Sequence, residues 1–142
     1  MLEGKIKCHR FGTSYKHSHF FILNKGKNSG KPLQQECANC FVFLADDQEE
    51  RQHFFNLCYA LWLGRKFHIL LTGSVIPFIR IDEFGKLLHA TNNIVSEKTS
   101  EYETILKQIN DLNNHQENLQ KQIKLVDQLK QAVIYKLLKY GL

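Results

Sequence analysis

Leu119–Leu138 (Leu-Gln-Lys-Gln-Ile-Lys-Leu-Val-Asp-Gln-Leu-Lys-Gln-Ala-Val-Ile-Tyr-Lys-Leu-Leu) carries apolar residues three and then four positions apart, and the pattern continues in both directions. Tyr102, Ile109, Gln116, Ile123, Lys130 and Leu137 fall at one seam position, and Ile105, Leu112, Leu119, Val126, Val133 and Tyr140 at the other. Only Gln116 and Lys130 are polar, and isolated polar seam residues of this kind fix register. A 3.5-residue period held over more than five heptads predicts a long helix packed knobs-into-holes on another helix. Unbroken from Ile94 to Tyr140 it would span about 70 Å at ~1.5 Å per residue. The alternative is a helical hairpin that folds back at Asn113–Asn118, the weakest helix-forming stretch. Leu106, Leu129 and Ile134 widen the stripe beyond a two-residue seam.

Upstream the pattern changes. Both prolines, the single Trp and six of the eight glycines precede residue 82, and between Gly85 and Gly141 there is neither Gly nor Pro. The reading is therefore α+β: a small mixed α/β domain over 1–81, then a long helix over 82–142, as coiled coil or hairpin. His19–Leu23 and Cys40–Ala45 are short, aromatic and β-branched, and read as strands. Asn24–Pro32 between them is a loop by composition. Asp46 reads as an N-cap completed by Glu49, opening a helix from Asp47 to about Leu63. That helix should bury Phe54, Phe55, Cys58, Leu61 and Trp62 and stop at Gly64. Val75–Ile81 should be extended, because Pro77 cannot donate to a ladder, and it belongs at a sheet edge.

The charge is uneven. Of a formal net charge of +5, residues 1–31 hold seven cations and one acid, Glu3, so the remainder of the chain is close to neutral. A basic segment raises encounter rates with polyanions, and it also serves as a solubilising face. The absence of a long apolar run argues against a membrane span, and Met1–Gly12 lacks the apolar core of a signal peptide. A cytoplasmic setting is expected, with Cys8, Cys37, Cys40 and Cys58 reduced.

Gly26-Lys27-Asn28-Ser29-Gly30-Lys31-Pro32 approaches a phosphate loop but fails as a Walker motif. Three residues separate its glycines instead of four, and Pro32 stands where a magnesium-binding Ser or Thr belongs. Its lysines and free N–H groups can still meet a phosphate backbone. Cys37-Ala38-Asn39-Cys40 supplies two thiolates at zinc spacing. A zinc ion would need two more ligands, with Cys8, His9, His17 and His19 as candidates and Cys8 and His19 the pair selected. The competing reading packs Cys40 into the strand. No nucleophile, base and orienter are brought together by the spacing, so a non-enzyme is expected.

Two stretches resemble the DNA-specificity subunits of type I restriction–modification enzymes. Asn39–Ile81 runs from an asparagine-led strand (Asn-Cys-Phe-Val-Phe-Leu) through an aromatic helix to Gly73-Ser-Val-Ile-Pro-Phe-Ile79, like the end of a target-recognition domain. Leu119–Leu138 looks like that family's spacer helix. The chain also resembles a small bacterial family of unknown function that shares the Asn-Lys-Gly, Cys-x-x-Cys-Phe-Val and Gly-Ser-Val-Ile-Pro-Phe segments. The first resemblance implies a non-catalytic, DNA-associated half-subunit that dimerises through its C-terminal helix. Lys25, Lys27 and Lys31 would then contact phosphates of double-stranded DNA, with Arg10 and Lys16 beside them. Tyr102, Ile105, Ile109, Leu112, Leu119, Ile123, Val126, Val133 and Leu137 would form the helix interface. The alternative is an interaction module whose helix docks on a partner protein.

Overall fold

The computed structural model describes residue 2 and residues 4–141. Among the described residues four strands form one antiparallel sheet: β1 (Ile6–Cys8), β2 (Ser18–Leu23), β3 (Pro32–Leu33) and β4 (Cys40–Ala45), in the order β1-β4-β2-β3. Three α-helices follow: α1 (Gln48–Leu63), α2 (Ile81–Glu97) and α3 (Thr99–Gly141). The fold is α+β, with a long C-terminal helix.

Alternation along the strands gives the sheet two packed faces. Phe20 and Ile22 of β2 and Phe41 and Phe43 of β4 point toward the helices and are buried. Phe43 stacks on Phe20 with ring centroids 5.2 Å apart and lies 4.7 Å from Phe54 of α1. The opposite face carries Phe21, Cys40 and Val42, covered by Tyr15, Leu33, Cys37 and Leu44. A β4 buried on both faces needs an almost wholly apolar strand, and Cys-Phe-Val-Phe-Leu-Ala provides one.

The N-cap of α1 is one residue later than expected. Asp47, with extended backbone, accepts from the Glu50 N–H, while the Glu50 carboxylate reaches back to the Asp46 N–H at 2.7 Å. The Asp46–Asp47 and Glu49–Glu50 pairs allow either register, and Lys5, bonded to both Asp46 and Glu50, favours the later one. At the far end Lys66 N–H reaches Leu61 C=O and Arg65 N–H reaches Trp62 C=O. Arg65, at φ 57°, takes the left-handed position that usually holds glycine, and Gly64 sits inside the cap. Leu57 joins the buried set, whereas Phe55 and Trp62 are half-buried.

Val75–Ile81 does not form a strand. Thr72 and Phe78 pair with each other, and Phe78 makes an isolated bridge with Lys25, so the sheet edge belongs to β3 instead. The chain divides into two compact units, Met1–Glu97 and Lys98–Leu142. The sequence places the boundary at 81/82. In the structure α2 is part of the sheet unit, because Phe84 and Leu88 are buried, with the Phe84 ring 5.1 Å from Phe67 and 5.9 Å from Phe41.

Helical geometry lapses only at Lys98, after Ser96 turns its hydroxyl back onto the Asn92 carbonyl. In the second unit α3 continues through Asn113–Asn118 without a fold-back. Its 43 residues extend about 65 Å at ~1.5 Å per residue. Among the described helices none is long and apolar enough to cross a membrane.

Candidate nucleic-acid interface

Strand direction sorts the charges. β1 and β2 both end where β4 begins, so the residues after Cys8, the residues after Leu23 and those before Cys40 share one end of the sheet. His9 N–H donates to Cys40 C=O at 3.1 Å, which fixes Arg10 at this end. α1 starts at the other end and finishes here, delivering Arg65 and Lys66. Lys16 is separated from this surface. The chain crosses the helix-free face between His9 and Ser18, which leaves Lys16 at the opposite end of a six-residue strand, about 20 Å away.

The loop of residues 24–31 is a tight knot fastened to the segment after α1. Gly30 N–H donates to Leu23 C=O at 2.7 Å and Leu23 N–H to Lys31 C=O at 2.9 Å. The buried Ser29 hydroxyl donates to Gly26 C=O at 2.7 Å. Gly26 N–H donates to Pro77 C=O at 2.7 Å, and Ile79 N–H to Asn24 C=O at 3.1 Å. Gly30 lies flat on Phe67, so a Cβ there would fall 2.2 Å from a ring carbon. The N–H groups of Gly26, Ser29, Gly30 and Lys31 are thus consumed internally, which narrows the expected set of free N–H groups to the loop tip around Lys27 and Asn28. The side chains carry its charge: Lys25 and Lys27 are exposed, and Lys31 lies 5.0 Å over the Trp62 ring.

This clasp joins two segments that are distant in sequence. Residues 24–31 contribute Lys25, Lys27 and Lys31, and residues 64–80 contribute Arg65, Lys66 and Arg80, with no Asp or Glu in either. The second trio is invisible to a linear charge count. The opposite end of the domain is acidic, with Asp46, Asp47, Glu49 and Glu50 at the start of α1. An open cleft of about 690 Å³ lies there between α1 and α2, lined by Glu50, His53, His89 and Asn92 among others. The sheet domain is therefore polarised, with the cations of both clasped segments at one end and the acids that open α1 at the other.

The four residues proposed for zinc are not brought together. Cys8 pairs with Phe41 and so shares the helix-facing side, whereas Cys40 points to the other side. His19 is on the Cys40 side but opposite Leu44, four residues along β4, and its Nδ1 lies 2.7 Å from the His17 carbonyl oxygen. Cys37 and Cys40 remain neighbours in one apolar cluster, and the Cys40 thiol donates to the Cys37 carbonyl at 3.2 Å. Burial pushes the Cys40 thiol up to about 11, which keeps it protonated at neutral pH. Among the described residues no cluster of three or more His, Cys, Asp or Glu is placed to hold a metal ion.

The same face carries a network that no sequence motif announces. The His9 side chain is buried, with Nε2 2.6 Å from Glu36 Oε2 and Nδ1 2.9 Å from the Tyr15 hydroxyl. Glu36 also accepts from Gly12 N–H at 2.9 Å. In the neutral tautomer that suits both partners, Nε2–H donates to the carboxylate and the Tyr15 hydroxyl donates to Nδ1. This network pins the crossover 9–17 to the segment before β4. The Gly12 N–H, followed by His9, holds the Glu36 carboxyl below its ordinary value of 4.5. A depressed folded-state value gives stability that is present above the unfolded value and lost as pH falls through the folded one. Below pH 4.5 the wild type should therefore lose denaturation midpoint more steeply than Glu36→Gln, and parallel curves would refute the assignment.

The expected helix interface lies along α3. Ile105, Leu112, Leu119, Ile123, Val126, Val133 and Leu137 are exposed, and Tyr102 and Ile109 are half-buried. Leu125, Leu129, Ile134 and Leu138 are exposed as well, widening the apolar surface toward the C-terminal end.

A family model described as "Family of unknown function (DUF6943)" matches residues 6–136 of the chain. No curated protein and no solved structure matches. The resemblance to restriction–modification specificity subunits thus receives no support, whereas the resemblance to a small uncharacterised family is upheld.

Proposed function

Because the chain belongs to this family, whose activity is not established, we propose that it is a non-catalytic protein that associates with double-stranded DNA through the basic end of its sheet domain and pairs with a second copy through α3. The carrying observation is the clasp of residues 24–31 on residues 64–80, six cations without an acid between them. Such side chains position a protein on phosphates without reading bases. Arg10 lies at the same end and extends the surface, while Lys16 is excluded from it.

The test is a titration of labelled duplex at several salt concentrations. Combining Lys25→Glu, Lys27→Glu and Lys31→Glu should weaken binding at least about tenfold. It should also lower the slope of log affinity against log salt by about 0.9 for each phosphate that is no longer neutralised. Unchanged affinity, with the fold verified by circular dichroism, would refute the reading.

The exposed seam of α3 supports a second reading, a protein-interaction module whose helix docks on a helical partner. Light scattering separates the two: a dimer favours pairing with a second copy, and a monomer that binds no duplex favours the interaction module.

A further inference from the structure

The clasp also carries a projection that phosphate binding leaves unexplained. Thr72 N–H donates to Phe78 C=O at 2.9 Å and Phe78 N–H to Thr72 C=O at 2.8 Å, closing a turn over residues 73–77. Gly73 starts it at φ +102°, where a Cβ would meet the Ile76 carbonyl oxygen at 3.0 Å. Pro77 stiffens its return, and the Pro77 and Phe78 backbones are tied to residues 24–26. At the tip Val75 is 89% exposed and Ile76 55% exposed. A turn tied down at both ends that holds two β-branched side chains in water, beside the six cations of the two clasped segments, marks a binding feature rather than a scattered surface residue.

We propose that the Val75–Ile76 turn is an apolar wedge that enters the minor groove of duplex DNA and partly unstacks a base step while the surrounding cations hold the phosphates. The inference rests on the duplex reading above and names how that same surface engages its partner. Wedges of this kind are aliphatic, aromatic or proline side chains that kink the duplex as they enter. Charge complementarity selects the polyanion, and the narrow tip selects a base step: two adjacent side chains suit one step, whereas attachment to a bilayer strengthens with the apolar area buried. Ile69, also exposed but off the turn, provides an internal control.

The experiment measures end-to-end energy transfer in a doubly labelled duplex of about 20 base pairs, with affinity and salt slope taken from the same titration. The wild type should shorten the end-to-end distance. Val75→Ser combined with Ile76→Ser should abolish the shortening and weaken binding about tenfold while leaving the salt slope unchanged, and Ile69→Ser should behave as wild type. Wild-type binding without bending, or equal bending by the double variant, overturns the wedge and leaves the duplex reading standing. Absence of wild-type binding at low salt overturns both. Binding to phosphatidylserine–phosphatidylcholine vesicles that the double variant loses, with duplex bending unaffected, assigns the turn to a lipid surface and overturns the wedge.

Discussion

Gly30→Ala should destabilise the sheet domain by about 3 kcal/mol or more, from two separable causes. The first is conformational: at φ +95° an L side chain is strained, by roughly 1–2 kcal/mol. The second is steric, since the new methyl would sit 2.2–2.8 Å from three atoms of the Phe67 ring. Phe67 is fully buried and packed on Phe84, so the ring has nowhere to go, and overpacking of this kind costs about 1–3 kcal/mol. Gly26 isolates the first cause, because its φ is also +95° and nothing lies within 4 Å of its would-be Cβ. Chemical denaturation should therefore rank the wild type above Gly26→Ala, and Gly26→Ala well above Gly30→Ala. Equal costs at the two positions would show that the clasp does not press on Phe67. Under the proposed duplex reading, Gly30→Ala should also weaken binding while no charge is altered, since the clasp assembles the basic surface.

Phe43→Ala should cost about 3–5 kcal/mol, the range for emptying a buried phenylalanine site. The ring is fully buried, stacked on Phe20 and set against Phe54, so its removal opens a cavity where β2, β4 and α1 meet. Phe43 also sits in register with Ile6 on one side and Phe20 on the other, and neither neighbouring strand can close the gap without breaking its ladder. Phe11, 66% exposed, is the reference: Phe11→Ala should change stability by no more than about 0.5 kcal/mol. A Phe43→Ala cost below about 2 kcal/mol would mean that the core relaxes around the cavity.

The elements legible in the sequence are those whose burial is written into consecutive residues. β2, β4 and α1 carry dense aromatic runs between clear turn and cap residues, and their observed limits agree with the expected ones to within one residue or so. β1 is not legible, because Ile-Lys-Cys is short and partly exposed and becomes a strand only by pairing with β4. α2 reads as continuous with the heptad helix, because nothing in Ile81–Glu97 distinguishes a face that covers a sheet from one that seeks another helix. At the candidate site the loop lysines are visible as a charge cluster. Arg65, Lys66 and Arg80 are not, because only the fold brings 64–80 against 24–31. Pro77 does exclude a central strand, but its neighbour Phe78 makes only isolated bridges, to Lys25 and Thr72, and the expected edge strand becomes a projecting turn. His9 and Glu36 are separated by 27 positions, and no spacing rule pairs them.

The order β1-β4-β2-β3 leaves two very short outer strands, three residues at one side and two at the other. Lys7 stands on the first, and Pro32, without an N–H to offer, on the second. A sheet with blunted margins gives a neighbouring chain little backbone to extend, which is how proteins guard against edge-to-edge aggregation. That protection would matter most under the proposed pairing of copies through α3, since a raised local concentration of sheet domains favours edge-to-edge contact. Blunt margins would leave such pairing to the side chains along the helix.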